Sequence, residues 1–404
     1  MSTTSRTEDA APGSRPLDGL RVVEFTHMVM GPTVGVILAD LGADVVKVEP
    51  LKGDGTRRLV GSGAGYFPMY NRNKRSLCID LDSDRGRELA LRLVRRADVM
   101  IENFRPGAMA EKGLGYDTLS DEVPGLIYCS AKGFLTGPYE HRTALDEVAQ
   151  MMGGLAYMTG LPGRPMRAGA SVIDVTGGMF GVIGILAALR ERERTGRGQE
   201  VKTSLFETTA FMVGQHMAQK AVTGTPAPPM TQRRSAWAVY DIFESRDGEM
   251  VFAGVVTDSQ WRKFCDAFGL SEFLSDGDLQ TNADRVRNRD RILGPIRERM
   301  RLYDKDELMA RLEAVGLPFA PVSKPEDLFD DPHLNFGGGL IPLTLPSGEK
   351  TRLPALPIEM NGSRMGLRRD LPHAGEHSLE VLREFGLDEA AIAKLLEDGV
   401  VRAA

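Results

Sequence analysis

Residues Arg21–Glu49 read RVVEFTHMVMGPTVGVILADLGADVVKVE, and this stretch decides the fold. RVVEF is a short, largely apolar run of the kind that forms a buried strand. Gly31-Pro32 marks a turn, TVGVILADLGA has helical periodicity, and Gly42 stops the helix. DVVKVE, Asp44–Glu49, is a second strand. Strand, helix and strand within about thirty residues predict a right-handed parallel crossover, the unit of a doubly wound sheet.

Working outward, a polar loop rich in Gly and Arg covers Gly53–Gly65, and SLCIDL, Ser76–Leu81, reads as the third strand. Asp82-Ser83-Asp84 offers N-cap chemistry for a helix ending near Arg96. DVMIEN (Asp98–Asn103) and LIYCSAKGF (Leu126–Phe134) supply two more strands. A helix starts near Asp146, and a second long helix is expected over Ser204–Val222. In such an α/β domain ligands sit at the C-terminal ends of the strands. A dinucleotide is the usual first guess, but EFTHMVMGPTVG holds no G-x-G-x-x-G, which argues against an NAD-type dehydrogenase. Without those glycines Glu49 reads as a surface or substrate-edge residue rather than a ribose ligand.

A chain of 404 residues is long for one domain and predicts two, one of them discontinuous. Residues 1–16 read as a disordered tail and 17–222 as the first segment of a large α/β domain. A Gly/Pro/Thr/Arg-rich linker occupies 223–237. Two hairpin strands around Arg246-Asp247-Gly248, then amphipathic helices over Asp258–Phe268 and Asp290–Tyr303, make 238–330 a small α+β domain. Residues 331–363 form a second linker with short strands, and 364–404, with two amphipathic helices, are expected to return to the large domain.

The formal net charge of −6 carries no basic footprint for nucleic acid. Cys78, Cys129 and Cys265 are too few and too far apart for a disulfide framework or a metal cluster, and His373/His377 is the closest approach to a metal-ligand spacing. The longest apolar run, Met179–Leu189, has eleven residues, too short to span a bilayer. With no secretory signal at the start, the expectation is a cytoplasmic protein of a reducing compartment, with no membrane partner.

One carboxylate stands apart. In RAGASVIDVTGGMFGVIGILAALRERERTGRGQ, Arg167–Gln199, Asp174 separates a short β-type run from a long apolar helix that opens with Gly177, Gly178 and Gly181. On position alone Asp174 reads as a helix N-cap, and the sharper alternative is a covalent nucleophile.

Several segments together point to the second reading. RVVEFTHMVMGP, ADLGADVVKVEP, NRNKRSLCIDL, VMIENFRPGAM, AKGFLTGP, DEVAQMMGG, LAALRERERTGRGQEV and GEHSLEVLREFGL lie in order from residue 17 towards the C-terminus. In this combination the chain resembles the class III CoA-transferases, the formyl-CoA, carnitine and bile-acid CoA-transferase family. The resemblance implies a large Rossmann-like domain built from both chain ends, a small inserted α+β domain, and interlocked homodimers. It implies CoA transfer from an acyl-CoA to a carboxylic acid, with coenzyme A as substrate and no separate cofactor or metal. Asp174 falls on the family's nucleophile, which forms aspartyl anhydride and aspartyl-CoA thioester intermediates. Asp146 falls on an acidic residue held near it, although as a residue of the sequence it reads equally well as a cap of its own helix. Val29, Met30, Leu81, Asn103, Phe104, Arg105, Arg142, Thr143 and Leu145 fall on CoA contacts. The glycines after Asp174 and the start of its helix are expected to offer backbone N–H groups to the reacting carbonyl.

The departures are informative. Glu111 stands where relatives often carry a basic residue, with Lys112 beside it, and Pro50 replaces another, for which Lys52, Arg57 or Arg58 could substitute, so the sequence does not assign the cations that hold the CoA phosphates. The glycine run of formyl-CoA transferases is absent near 225–240, and Gly337-Gly338-Gly339 comes too late to replace it. Leu145 occupies the position of the histidine that 2-methylacyl-CoA racemases use, which argues against that activity. A non-catalytic CoA-binding protein would have no need of Asp174. Arg233 and Arg234, if they face the pocket, would suit a dicarboxylate such as succinate as the donor acid.

Overall fold

The computed structural model describes residues 15–232 and 235–404. Residues 1–14 of the expected tail, and Arg233 and Arg234, lie outside the described residues. The chain divides into two units: one runs to Thr231 and resumes over Pro332–Ala404, and the other is Gln232–Asp331.

The first unit opens as the decisive stretch predicts, with strand β1 (Arg21–Phe25), helix α1 (Met30–Asp40) and strand β2 (Asp44–Glu49), the two strands pairing in parallel. There follow α2 (Tyr66–Tyr70), β3 (Lys74–Ile79), α3 (Asp84–Val94), β4 (Val99–Glu102), α4 (Ala108–Glu111), α5 (Tyr116–Glu122) and β5 (Ile127–Lys132). The unit continues through α6 (Asp146–Met152), α7 (Leu155–Thr159), α8 (Val172–Thr195), β6 (Glu200–Ser204), α9 (Leu205–Met212) and α10 (Gly214–Thr223). Ser83 caps α3 as expected, its hydroxyl accepting from Gly86 N–H. The sheet order is Val401–Arg402, β3, β2, β1, β4, β5, β6, and among these pairings only that of Val401–Arg402 is antiparallel. Strand order therefore reverses at β1, which opens a crevice beyond the C-terminal ends of β1 and β4.

The third strand starts two residues earlier than its apolar pattern suggested, because Lys74 and Arg75 are buried parts of it. Lys74 Nζ sits 2.8 Å from Glu24 on β1, and Arg75 is held by Asp44, Glu380 and Glu384. Glu24 also lies 3.6 Å from Lys47 on β2, and Lys47 is 3.0 Å from Asp54. Charges removed from water this completely persist only when mutually paired. Glu49 belongs to the same buried polar layer, contrary to its reading as a surface residue. It is 1% exposed and accepts from Arg57, Ser76 and the Asp54 N–H. Burial tends to protonate it, but these donors together hold its pKa below the ordinary range.

Two further expectations change. The single helix over Ser204–Val222 is instead β6 ending at Ser204, then α9 and α10 broken at Val213. Helix α8 begins at Val172, before Asp174, so no strand precedes that carboxylate directly. At 24 residues α8 is long and apolar enough to cross a bilayer by length and composition, yet one side of it is packed into the core. A Cβ on Gly177 would stand 2.7 Å from Met30 Cε, and one on Gly178 would stand 2.8 Å from Thr33 Cβ and 2.9 Å from the Met30 carbonyl. These glycines let α8 press against α1. Lying beyond the first helical turn, they do not present free N–H groups to a ligand.

Helices Ser378–Glu384 and Glu389–Glu397 pack Val381, Leu382 and Ile392 into the cluster that holds Leu77 and Ile79 of β3. His377 belongs to this docking, its Nδ1 accepting from Ser76 N–H. A hairpin of Leu340–Thr344 and Lys350–Pro354 precedes them. The second unit joins Tyr240–Glu244, Met250–Gly254 and Phe319–Pro321 in an antiparallel sheet over a core built round Trp261, Phe264 and Phe268.

Candidate active site

A cavity of about 380 Å³ lies at the C-terminal ends of β1, β4 and β5. Its wall combines Val29 and Met30 from the start of α1; Asn103, Phe104 and Arg105 after β4; Arg142, Thr143, Leu145 and Asp146 at the start of α6; and Asp174. Leu81 is not brought there. It follows β3 and packs against the core on which the C-terminal helices dock.

Asp174 is the third residue of α8 and is not its cap. Ser171 holds the cap position and makes no side-chain cap hydrogen bond. The carboxylate of Asp146 does that work from another element: its Oδ2 accepts from Ile173 N–H at 2.9 Å and from Asp174 N–H at 3.1 Å. Asp146 does not cap its own helix either, since it is the first residue of α6 and Leu145 holds the cap position. The donors at the start of α8 are thus already occupied. By contrast, among the described residues the N–H groups of Met30 and Gly31, at the start of α1, donate to no protein acceptor.

Asp146 is itself held. Gln150 donates to its Oδ1, and Arg167 Nη2 lies 3.4 Å from that same oxygen. Gln150 Oε1 accepts from Ala168 N–H at 2.8 Å, which ties the loop ahead of α8 to α6. The neighbouring Asp174 carboxylate is half-buried and accepts no hydrogen bond among the described residues. Burial raises its pKa to about 7, the negative charge of Asp146 adds to the rise, and Arg167 opposes it. Tyr70, on α2, responds in turn: burial first, and then the charge of Asp174, push its phenol up to about 12.

Asn103 lines the cavity, and its side-chain amide is engaged by the neighbouring turn. Its Oδ1 accepts from His27 N–H at 2.9 Å and its Nδ2 donates to the His27 carbonyl at 2.8 Å. Both polar ends of the amide are used to splint the turn between β1 and α1, where Met28 has a φ of 63°. The His27 ring stacks on Phe104 with centroids 5.2 Å apart, and burial holds its pKa down, so it is neutral at pH 7.

The cations sort by partner. Arg105 is paired with Glu111, so the unexpected acid neutralises the neighbouring base. Lys112 is paired with Asp82, and Arg57 is bound to Glu49 and stacked on Phe67. Arg58 donates to the Lys52 carbonyl. Arg142 lies 4.2 Å over the Tyr139 ring. Sequence reading missed His27, Tyr66, Lys132 and Arg167 as cavity residues. Lys132 ends a strand and Tyr66 lies just past a glycine-rich loop, so neither stood in a pattern that marks a site. Arg167 began the quoted stretch, but nothing local showed that it faces Asp146.

The sequence profile of CoA-transferase family III matches residues 17–378. The chain is 35% identical to the succinate–glutarate CoA-transferase of Agrobacterium fabrum, over 92% of this chain and 96% of that protein. It is 31% identical to the succinyl-CoA:glutarate CoA-transferase of Mus musculus, over 98% of this chain and 93% of that protein. The crystal structure of a CAIB/BAIF family protein from Brucella suis superposes with a TM-score of 0.82 at 35% identity, covering 92% of this chain and 99% of that one.

Proposed function

The chain belongs to CoA-transferase family III and transfers CoA between acyl-CoA and carboxylic acids; we propose that the transfer runs through the carboxylate of Asp174. The observation that carries this reading is the state of that carboxylate, which lies in the cavity wall, is half-buried, and accepts no hydrogen bond among the described residues. A carboxylate that is only partly hydrated and accepts no protein hydrogen bond is a stronger nucleophile than one fully solvated.

In the first step an Asp174 oxygen attacks the thioester carbonyl, the C–S bond breaks, and a mixed anhydride and CoA thiolate form. The thiolate then attacks the aspartyl carbonyl, releasing the donor acid as its carboxylate and leaving an aspartyl-CoA thioester. The acceptor carboxylate attacks that thioester and expels the thiolate, which attacks the acceptor's acyl carbonyl and regenerates Asp174. No net proton is exchanged, so coenzyme A serves as a substrate and the sequence of steps calls for no further cofactor. The oxygen that gains charge at each tetrahedral stage needs donors. In this reading they are the N–H groups of Met30 and Gly31, because those of α8 are held by Asp146. Asp146 therefore positions α8 rather than exchanging protons, and Leu145 offers no base beside it.

The acids are short dicarboxylates, with succinyl-CoA among the donors. The support is that both curated relatives described above are named for succinate or succinyl-CoA and glutarate. The working unit is an interlocked homodimer. The outer side of α8 exposes Met179 and Ile183, and α9 exposes Phe211 at 72%, an apolar face that a second copy would cover. A panel of acyl-CoA donors against mono- and dicarboxylates tests the substrate class. Preference for dicarboxylates is expected, and equal use of monocarboxylates would refute it.

A further inference from the structure

We propose that Arg167 is a positioning residue for Asp174: it clamps Asp146 onto the start of α8 and supplies a fixed positive charge that offsets the Asp146 charge beside the nucleophile. The inference rests on the reading of Asp174 as the nucleophile.

The geometry divides the Asp146 carboxylate between two jobs. Oδ2 takes the two N–H groups of α8, and Oδ1 faces Arg167 at 3.4 Å. The guanidinium is not a loose surface charge. It donates to the carbonyls of Ala168 at 3.1 Å and Ala170 at 3.2 Å, within the loop that leads into α8, and lies 3.8 Å from Glu147. These contacts fix a planar fork against the cavity wall, where it and Asp174 line the same space.

Among the described residues, the other charged side chains of the cavity wall each have a contact of their own, Glu147 with Arg167 itself. Lys132 is bound to Glu102, Arg105 to Glu111, and Arg142 is stacked on Tyr139. His27 is neutral at pH 7, and Tyr66 and Tyr70 present phenols. Asp146 adds a negative charge beside the nucleophile, and Arg167 is the cation whose field opposes it. The arrangement balances two needs. Asp146 is required to cap α8, but its charge would drive Asp174 towards the unreactive protonated form. A guanidinium cannot lose its proton in the working range, so its counter-charge is constant.

The test is the pH profile of CoA transfer by the full chain carrying Arg167→Met or Arg167→Lys. Losing the cation raises the Asp174 pKa, so the acid limb of kcat/KM moves to higher pH. A move of about one pH unit takes the ionised fraction near pH 7 from about one half to about one tenth, a roughly fivefold loss that alkaline pH recovers. Arg167→Lys keeps the charge and is expected to move the limb less. An unmoved acid limb with a raised KM for the acceptor acid would make Arg167 a substrate-binding cation and overturn the proposal. A loss equal at every pH in both variants would make its role structural only and overturn it as well. Trapping of an adduct on Asp174 in the unaltered protein separates the readings: no adduct there defeats the nucleophile assignment itself, whereas an adduct with an unmoved limb defeats only the part given to Arg167.

Discussion

Replacing Asp174 with asparagine is expected to make the protein more stable at neutral and alkaline pH, because the native fold holds this carboxylate where its charge is unwelcome. Burial and the neighbouring Asp146 raise its pKa from 3.8 to about 7. At about 1.4 kcal/mol per pH unit, that difference sets a ceiling of about 4 kcal/mol. Asp174 is half-buried rather than sealed, and solvent screening brings the expected effect to about 2 kcal/mol. The sign follows from proton linkage. The folded state binds this proton more tightly than the unfolded state, so the stabilising contribution is complete below about pH 4 and is lost as pH rises through about 7. Asparagine has the same shape and no such loss. Urea unfolding of both proteins between about pH 5 and about pH 8 is the assay, with the gap expected to widen in favour of Asp174→Asn as pH rises. Parallel stability curves over that range would refute the electrostatic account of the site.

Other consequences follow from neighbouring contacts. Asp146→Ala strands the N–H groups of Ile173 and Asp174 and is expected to cost about 2–3 kcal/mol, whereas Asp146→Asn keeps an acceptor and costs about 1 kcal/mol, both read from urea midpoints. Gly178→Ala drives a Cβ against Thr33 and the Met30 carbonyl; overpacking of about 1–3 kcal/mol outweighs a gain of about 1 kcal/mol in helix propensity, and a lowered Tm checks it. Phe211→Glu places a charge on the exposed apolar face, and if that face joins the proposed homodimer, sedimentation is expected to show a smaller species than the unaltered protein without loss of secondary structure.

Much of the fold was legible because its parallel strands are buried on both faces and read as apolar runs: β1, β2, β4 and β5 stand where RVVEF, DVVKVE, DVMIEN and LIYCSAKGF indicate. The failures fall where tertiary pairing overrides local pattern. Lys74 and Arg75 look like loop residues until their carboxylate partners on distant elements are known. Strand β6, EVKTS, carries charges on its outer positions and lies between two helices, so its pairing with β5 was hidden. At the site, family-like segments singled out Asp174 and part of the cavity wall, but not His27, Tyr66, Lys132 or Arg167. The capping of α8 by Asp146 was not legible, since the two elements are separate in sequence and a cap is normally sought next to the helix it serves. The commitment of Asn103 to His27 was hidden for the same reason.

The central claim is that Asp174 becomes covalently linked during turnover. The direct measurement is to incubate the full chain with succinyl-CoA, reduce with borohydride, and locate the change by peptide mass. The account predicts reduction of the Asp174 side chain to an alcohol, and predicts that Asp174→Ala carries no such mark and transfers no CoA. A mark on another residue, or transfer that persists in Asp174→Ala, would contradict it.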